Sequence, residues 1–242
     1  MATTTQSIRQ IVTNQSSAAA VLERFEIDLC TQADNSLGQA CADLRLSVDQ
    51  VLEKLSDAAA NESGAAPAEI ATYSLNRIIQ HIVRTHHQYV RRELPRLIEI
   101  AQRVARKKGD RAPALAEVNS LLGQLRDEMF AHLEKEEQIL FPFIAEMEQN
   151  AGSGLAPRAC FRTVAHPVSM MIQEHESAEG LVARIRDLTD GFTPPAEACP
   201  TQIALYSGLR EFGADLRQHV HLENDLLFPR AIQLEAELNS RG

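Results

Sequence analysis

The chain has no tryptophan, and aromatic residues make up only 5% of its 242 positions. Any core must be built from aliphatic and alanine side chains, which suits helices packed on helices. Sustained alternation of β-branched residues is missing, which argues against a sheet. No apolar run approaches the roughly 18 residues needed to span a bilayer, and the N-terminus lacks the apolar stretch of a secretory signal. A cytoplasmic protein with no membrane partner is therefore expected. The four cysteines, Cys30, Cys41, Cys160 and Cys199, are widely spaced with no C-x-x-C. That fits reduced thiols better than a disulfide framework. Positive charge is also scarce: the formal net charge is −9 and no basic stripe offsets it, which argues against nucleic acid as the main partner. The locally basic run 103–111 reads as a helix end and its loop, because Lys and Arg favour helix C-termini.

What the chain does have is one phrase written twice. The first copy runs from His132 to Pro142 (HLEKEEQILFP) and the second from His219 to Pro229 (HVHLENDLLFP). Each places His at i, Glu at i+4, two apolar residues at i+7 and i+8, Phe at i+9 and Pro at i+10. A helix brings i and i+4 to one face, so each copy presents an imidazole and a carboxylate to the same side.

Around these phrases the pattern is helical throughout. Residues 1–60 read as a small N-terminal domain of short helices, with Ser17 as one cap and Ser47 with Gln50 as a capping box. Sixty residues bury little surface alone, so this domain needs to dock or to pair in a homodimer. Residues 61–69, rich in Ala, Gly and Pro, read as a linker. From 70 to 242 four long apolar stripes follow at 3 or 4 spacing. The first is Ile79, Val83, His87, Val90, Leu94 and Leu97, with a kink or break expected at Pro95. The second includes Met129, His132, Glu136 and Ile139. The third starts near Pro167 and carries Met171, His175 and Ala178. The fourth carries Leu216, His219, Glu223 and Leu226. Pro142 and Pro229 should bend the two phrase helices alike. The spacings from His87 to His132 and from His175 to His219 nearly match, so two similar hairpins are expected to form a four-helix bundle with inward-facing side chains.

Each stripe thus has one His in place of an apolar residue, and two add a Glu. Burying four imidazoles and two carboxylates without partners costs several kcal/mol per ion, whereas a pair of metal ions removes that cost. The candidate ligands are His87, His132, Glu136, His175, His219 and Glu223. Six nitrogen and oxygen donors with no thiolate suit two iron or manganese ions better than tetrahedral zinc. If both glutamates bridge and an oxo or hydroxo group is shared, one position stays open at each ion for oxygen, nitric oxide or peroxide. The stripe alone does not choose between His86 and His87. His81 and His166 read as surface or loop residues. His221 points away from His219, and Glu137 is solvated or supports a ligand.

The two phrases, with Gln173-Glu174-His175-Glu176 and Thr193-Pro194-Pro195-Ala196-Glu197-Ala198-Cys199, resemble the Repair of Iron Centres proteins. The N-terminal stretch Ala20-Val21-Leu22-Glu23-Arg24-Phe25-Glu26-Ile27-Asp28 and residues 37–41 extend the resemblance over most of the chain. It implies an all-α, hemerythrin-like four-helix bundle behind a small N-terminal helical domain. It also selects His87, eight residues before the proline of Leu94-Pro95. It implies two non-haem irons, oxo- or hydroxo-bridged, with four terminal histidines and bridging Glu136 and Glu223. The implied role is repair of iron–sulfur clusters damaged by nitric oxide or peroxide, through donation of iron to damaged iron–sulfur proteins. Two other readings of such a centre are reduction of nitric oxide or peroxide, and reversible binding of oxygen or nitric oxide. In one place the chain departs from the family: where Cys-Cys-Gly-Gly is usual, it has Cys30-Thr31-Gln32-Ala33. Functions that need two adjacent thiols therefore do not carry over.

Overall fold

The computed structural model describes residues 2–15, 18–29, 32–60, 70–108, 113–151 and 161–241. Among these the architecture is all-α, and the only β feature is an isolated antiparallel bridge between Ser7 and Ser36. Four short helices come first: α1 (Ile8–Asn14), α2 (Ala18–Arg24), α3 (Leu37–Asp43) and α4 (Val48–Ala60). Four long rods follow. The first is α5 (Leu75–Ile82), a π-helical turn Val83–His87 and α6 (Gln88–Lys108). The second is α7 (Pro113–Lys135), a π turn Glu136–Leu140 and α8 (Phe141–Asn150). The third is α9 (Ala165–Leu188). The fourth is α10 (Pro200–His221), a π turn Leu222–Leu227 and α11 (Phe228–Arg241).

The chain forms two compact units. Unit 1 comprises Met1–Ala65, Glu99–Val118 and Arg186–Glu211. In it, Ser7 and Ser36 cap α1 and α3 through the backbone N–H groups of Gln10 and Gln39. Ile8 N–H donates to Asn35 O and Leu37 N–H to Gln6 O, tying these two helix starts together. Ser47 caps α4 by accepting from Gln50 N–H, while Ser17 lies outside the described residues. The unit's core is built from Ile8, Ile11, Leu22, Ile27, Leu37, Val51 and Leu55, an aliphatic set.

Unit 2 comprises Ala66–Ile98, Asn119–Ile185 and Phe212–Gly242. All four rods feed one apolar cluster there, including Ile78, Ile82, Phe141, Ile144, Val168, Met171, Leu227 and Phe228. Two helix starts in this unit are capped by carboxylates from the phrase helices. Glu148 accepts from the N–H groups of Leu75 and Asn76 at 2.7 and 2.9 Å. Glu235 accepts from Val164 N–H at 2.8 Å. Negative charge at a helix N-terminus is favourable because the first N–H groups have no partner within the helix.

Of the three π turns among the described residues, two lie within the phrases. Phe141 N–H bonds to Glu136 O and Phe228 N–H to Glu223 O, five residues back rather than four. These two turns end at Leu140 and Leu227, one residue short of the Phe-Pro pairs Phe141-Pro142 and Phe228-Pro229. A proline inside an α-helix clashes with the carbonyl four residues behind it. Widening the preceding turn by one residue relieves that clash and carries Glu136 and Glu223 inward. Pro95 behaves otherwise: the helix runs through it without a break. Pro95 itself is exposed, and Val90, Leu94 and Leu97 are fully buried. The lost bond therefore falls on the wet side, where water can satisfy the carbonyl of Arg91. Pro95→Ala should raise the unfolding free energy by about 2 kcal/mol: the helix penalty of ~3 kcal/mol, less ~0.4–1 kcal/mol for stiffening the unfolded chain. Denaturant unfolding measures this directly.

Candidate metal centre

All six candidate side chains are buried, none more than 2% exposed. The first two rods bring His87 and His132 inward, the third His175 and the fourth His219, while the π turns supply Glu136 and Glu223. Their donor atoms form two groups that could each hold a metal ion. One is His87, Glu136, His219 and Glu223; the other is His132, Glu136, His175 and Glu223. Both glutamates belong to both groups. Within each group the donor atoms lie within 4.8 Å of one another.

The geometry divides Glu223 between the two groups. Its Oε1 is 2.9 Å from His219 Nε2 and 3.8 Å from His87 Nε2, while its Oε2 is 3.0 Å from His175 Nε2. Glu136 Oε2 is 3.4 Å from the Nε2 atoms of both His87 and His132. The Nε2 atoms of His132 and His175 converge to 3.0 Å. Several of these buried atoms make no hydrogen bond in the protein: His87 Nε2 and both oxygens of Glu136. Orphaned donors that converge in a dry interior, with no thiolate among them, fit a pair of ions.

An outer set of side chains holds the imidazoles by their other nitrogens. His87 Nδ1–H donates to Glu137 Oε1 at 2.7 Å, and Arg91 holds the same oxygen at 2.6 Å. His132 Nδ1–H donates to Glu174 Oε2 at 2.9 Å, with Lys135 on the other carboxylate oxygen. His175 Nδ1–H donates to Asn224 Oδ1 at 3.1 Å. Such partners fix the tautomer and turn Nε2 toward the centre. Phe141 stacks on His87 and Phe228 on His175, with centroids 5.6 and 6.3 Å apart. Each phrase thus covers and props the histidine of the rod before it.

The other histidines lie outside the two groups. His86 is buried and donates to Asp215 Oδ1 at 2.9 Å. His81 lies within α5 and is half-buried, not a loop residue, because it packs edge-on against His86. His166 is exposed in the first turn of α9. His221 is exposed and pairs with Asp225. Cys41 is buried in unit 1, Cys199 is half-buried, and Cys30 and Cys160 lie outside the described residues. The supporting roles of Glu174, Asn224 and Asp215 were not read from the sequence. The first two announce themselves only as chain neighbours of His175 and Glu223.

Electrostatics in the metal-free cluster is set by burial and by crowding of like groups. Burial alone would lower the His87 imidazole, but the carboxylates of Glu136 and Glu223 beside it push it up to about 10. Burial and the charge of Glu223 raise Glu136 to about 8. Burial lowers His132 to about 4, and the charges of His175 and His219 add to that. Burial would also raise Glu223, yet His219, His175 and His87 hold it well below the usual carboxylate range. His87 and Glu136 between them therefore hold protons more tightly than usual, and a cation must displace them. Divalent metal binding should release about one to two protons per chain at pH 7. Affinity should rise with pH through about 8 and on toward about 10, and weaken as pH falls. Titration with manganese or cobalt in weak buffer, read with a pH-stat, checks both the count and the sign.

Among the described residues no helix is long and apolar enough to cross a membrane. A family model described as the hemerythrin HHE cation binding domain matches residues 78–231, a span containing all six side chains. The chain is 35% identical over 232 residues to the iron–sulfur cluster repair protein YtfE of Enterobacter sp. (strain 638), covering 96% of this chain and 99% of that protein. It is 36% identical over 219 residues to the YtfE protein of Musicola paradisiaca, covering 90% and 92%. A probable iron–sulfur cluster repair protein of Haemophilus influenzae is 32% identical over 227 residues, covering 94% and 96%.

Proposed function

We propose a function from one premise: this chain belongs to the hemerythrin-like family of iron–sulfur cluster repair proteins. On that premise it is a cytoplasmic, non-haem di-iron protein that rebuilds iron–sulfur clusters damaged by nitrosative or oxidative stress, by donating iron to the damaged proteins. The observation that carries the reading is that Glu136 and Glu223 each belong to both groups of converging donors. His87 and His219 would hold one ion and His132 and His175 the other, with Glu136 and Glu223 placed to serve both.

Iron is favoured over zinc because each ion meets four nitrogen and oxygen donors and no sulfur, which suits a higher coordination number. When bound, iron supplies redox and Lewis-acid chemistry and free positions for small ligands. The chain's own part is to hold and shield. Glu137, Glu174 and Asn224 orient three imidazoles, and the Phe141 and Phe228 rings cover two of them. Displaced protons leave from His87 and Glu136 when an ion enters and return when it goes.

The test is to incubate the iron-loaded protein with a cluster enzyme inactivated by nitric oxide or stripped of its cluster. Recovery should exceed that given by the same amount of free ferrous iron; equal recovery sinks the reading. Four protein donors per ion leave positions open, and this favours a second reading, reduction of nitric oxide or peroxide at the same centre. Nitrous oxide from a single turnover of the reduced protein separates the two.

A further inference from the structure

The repeat that builds the centre is broken at one outer position. Glu137 and Asn224 occupy the same place in the two phrases, each one residue after the bridging glutamate. Each accepts from the histidine of the preceding rod. The residues before His87 and His175 are likewise equivalent, but here the chemistry differs: one is His86 and the other is Glu174. Glu174 accepts from His132 Nδ1. His86 lies against His219 with the rings 7° from parallel and 5.6 Å apart. It therefore offers a ring face where Glu174 offers a carboxylate oxygen. Its own Nδ1 is turned to Asp215. As a result His219 Nδ1 is buried with no hydrogen-bond partner in the protein, whereas the other three histidines are anchored.

We propose that the two metal positions are unequal, and that the ion held by His87 and His219 is the one released first, because His86 stands where the other half has Glu174. An outer acceptor fixes the imidazole and strengthens its donation, and losing one typically weakens metal binding by about 10–100-fold. Release involves no redox change. His87 and His219 would give up the divalent ion to the donors of its acceptor and take up protons from solvent, while Glu136 and Glu223 would stay with the second ion. The inference rests on the ligand roles given above and makes them directional: the His87/His219 position delivers iron and the His132/His175 position retains it.

The test uses the full chain loaded anaerobically with ferrous iron and mixed with excess chromophoric chelator. Two release phases of equal amplitude are expected, differing by about 10-fold or more in rate. His86→Glu, which restores the acceptor of the other half, should slow the fast phase by about 10-fold and leave the slow phase in place. Glu174→Ala should speed the slow phase until the two merge, and it decides the matter alone if the first variant does not fold. Single-phase release of two ions from the unaltered protein overturns this inference while leaving cluster repair standing. So does a fast phase that His86→Glu does not move. A protein that never holds two ions overturns both.

Discussion

Glu136→Ala or Glu223→Ala will abolish the two-metal state, and metal content after gel filtration will fall from two ions per chain to fewer than one. Each glutamate is a member of both donor groups, so one substitution takes an oxygen from both ions at once. A histidine substitution is different in kind. His132→Ala removes a donor from one group only and leaves His87, Glu136, His219 and Glu223 in place, so one ion per chain should remain. The contrast between one ion and none separates bridging from terminal roles better than either variant alone. Two full ions in both Glu→Ala variants would refute the assignment. A companion variant guards against simple misfolding. Without metal, Glu136 is largely protonated at pH 7 because burial and Glu223 raise it to about 8. Glu136→Gln has nearly the shape and charge of that protonated form. The apo variant should therefore unfold within about 1 kcal/mol of the apo parent, while its two-ion state is lost.

The helices were legible because apolar spacing of 3 and 4 survives any detail of backbone bonding. For the same reason the π turns were not: a shift from i−4 to i−5 at Phe141 or Phe228 leaves no mark on the spacing of side chains. Pro142 and Pro229 are the nearest mark in the sequence: a wider turn precedes each of these expected bends. The six candidate residues stood out because polar groups interrupted apolar stripes at repeated places. Their supports stood out less. Glu174 and Asn224 lie off the stripe, and nothing in a linear pattern says that each reaches a histidine on another rod. The repeat held one further signal. Glu148 and Glu235 stand at the same distance from His132 and His219, and both cap the start of another rod. Comparing the two halves beyond the proline would have found that pair. Of the kink or break expected at Pro95, the break does not occur, because the lost bond falls on the wet side of the helix. Ser7 and Ser36 carry the same cap signature as Ser47, each with Gln at the third position after it.

Removing the ions should destabilise unit 2 and leave unit 1 where it was. The apo cluster buries four imidazoles and two carboxylates, and both oxygens of Glu136 and the Nε2 of His87 go without hydrogen bonds. Buried charges that lose their counterion cost several kcal/mol each. Seen from the bound state, an ion present at about 1,000 times its dissociation constant stabilises by about 4 kcal/mol, so two ions contribute roughly 8 kcal/mol. At about 2–4 °C per kcal/mol for a chain of this size, chelation should lower the melting temperature of unit 2 by roughly 15–30 °C. Hydrogen exchange locates the effect. Amides in 83–87, 136–140 and 222–227, and around His175, should lose protection when metal is removed, because these turns carry or flank the six side chains. Amides of α1, α3 and α4 in unit 1 should not change, since no member of either donor group lies there. A uniform loss of protection across both units would mean that the ions hold the whole chain together. A melting temperature indifferent to chelator would mean that the buried polar cluster is satisfied without them, and the case for a resident metal pair would fail.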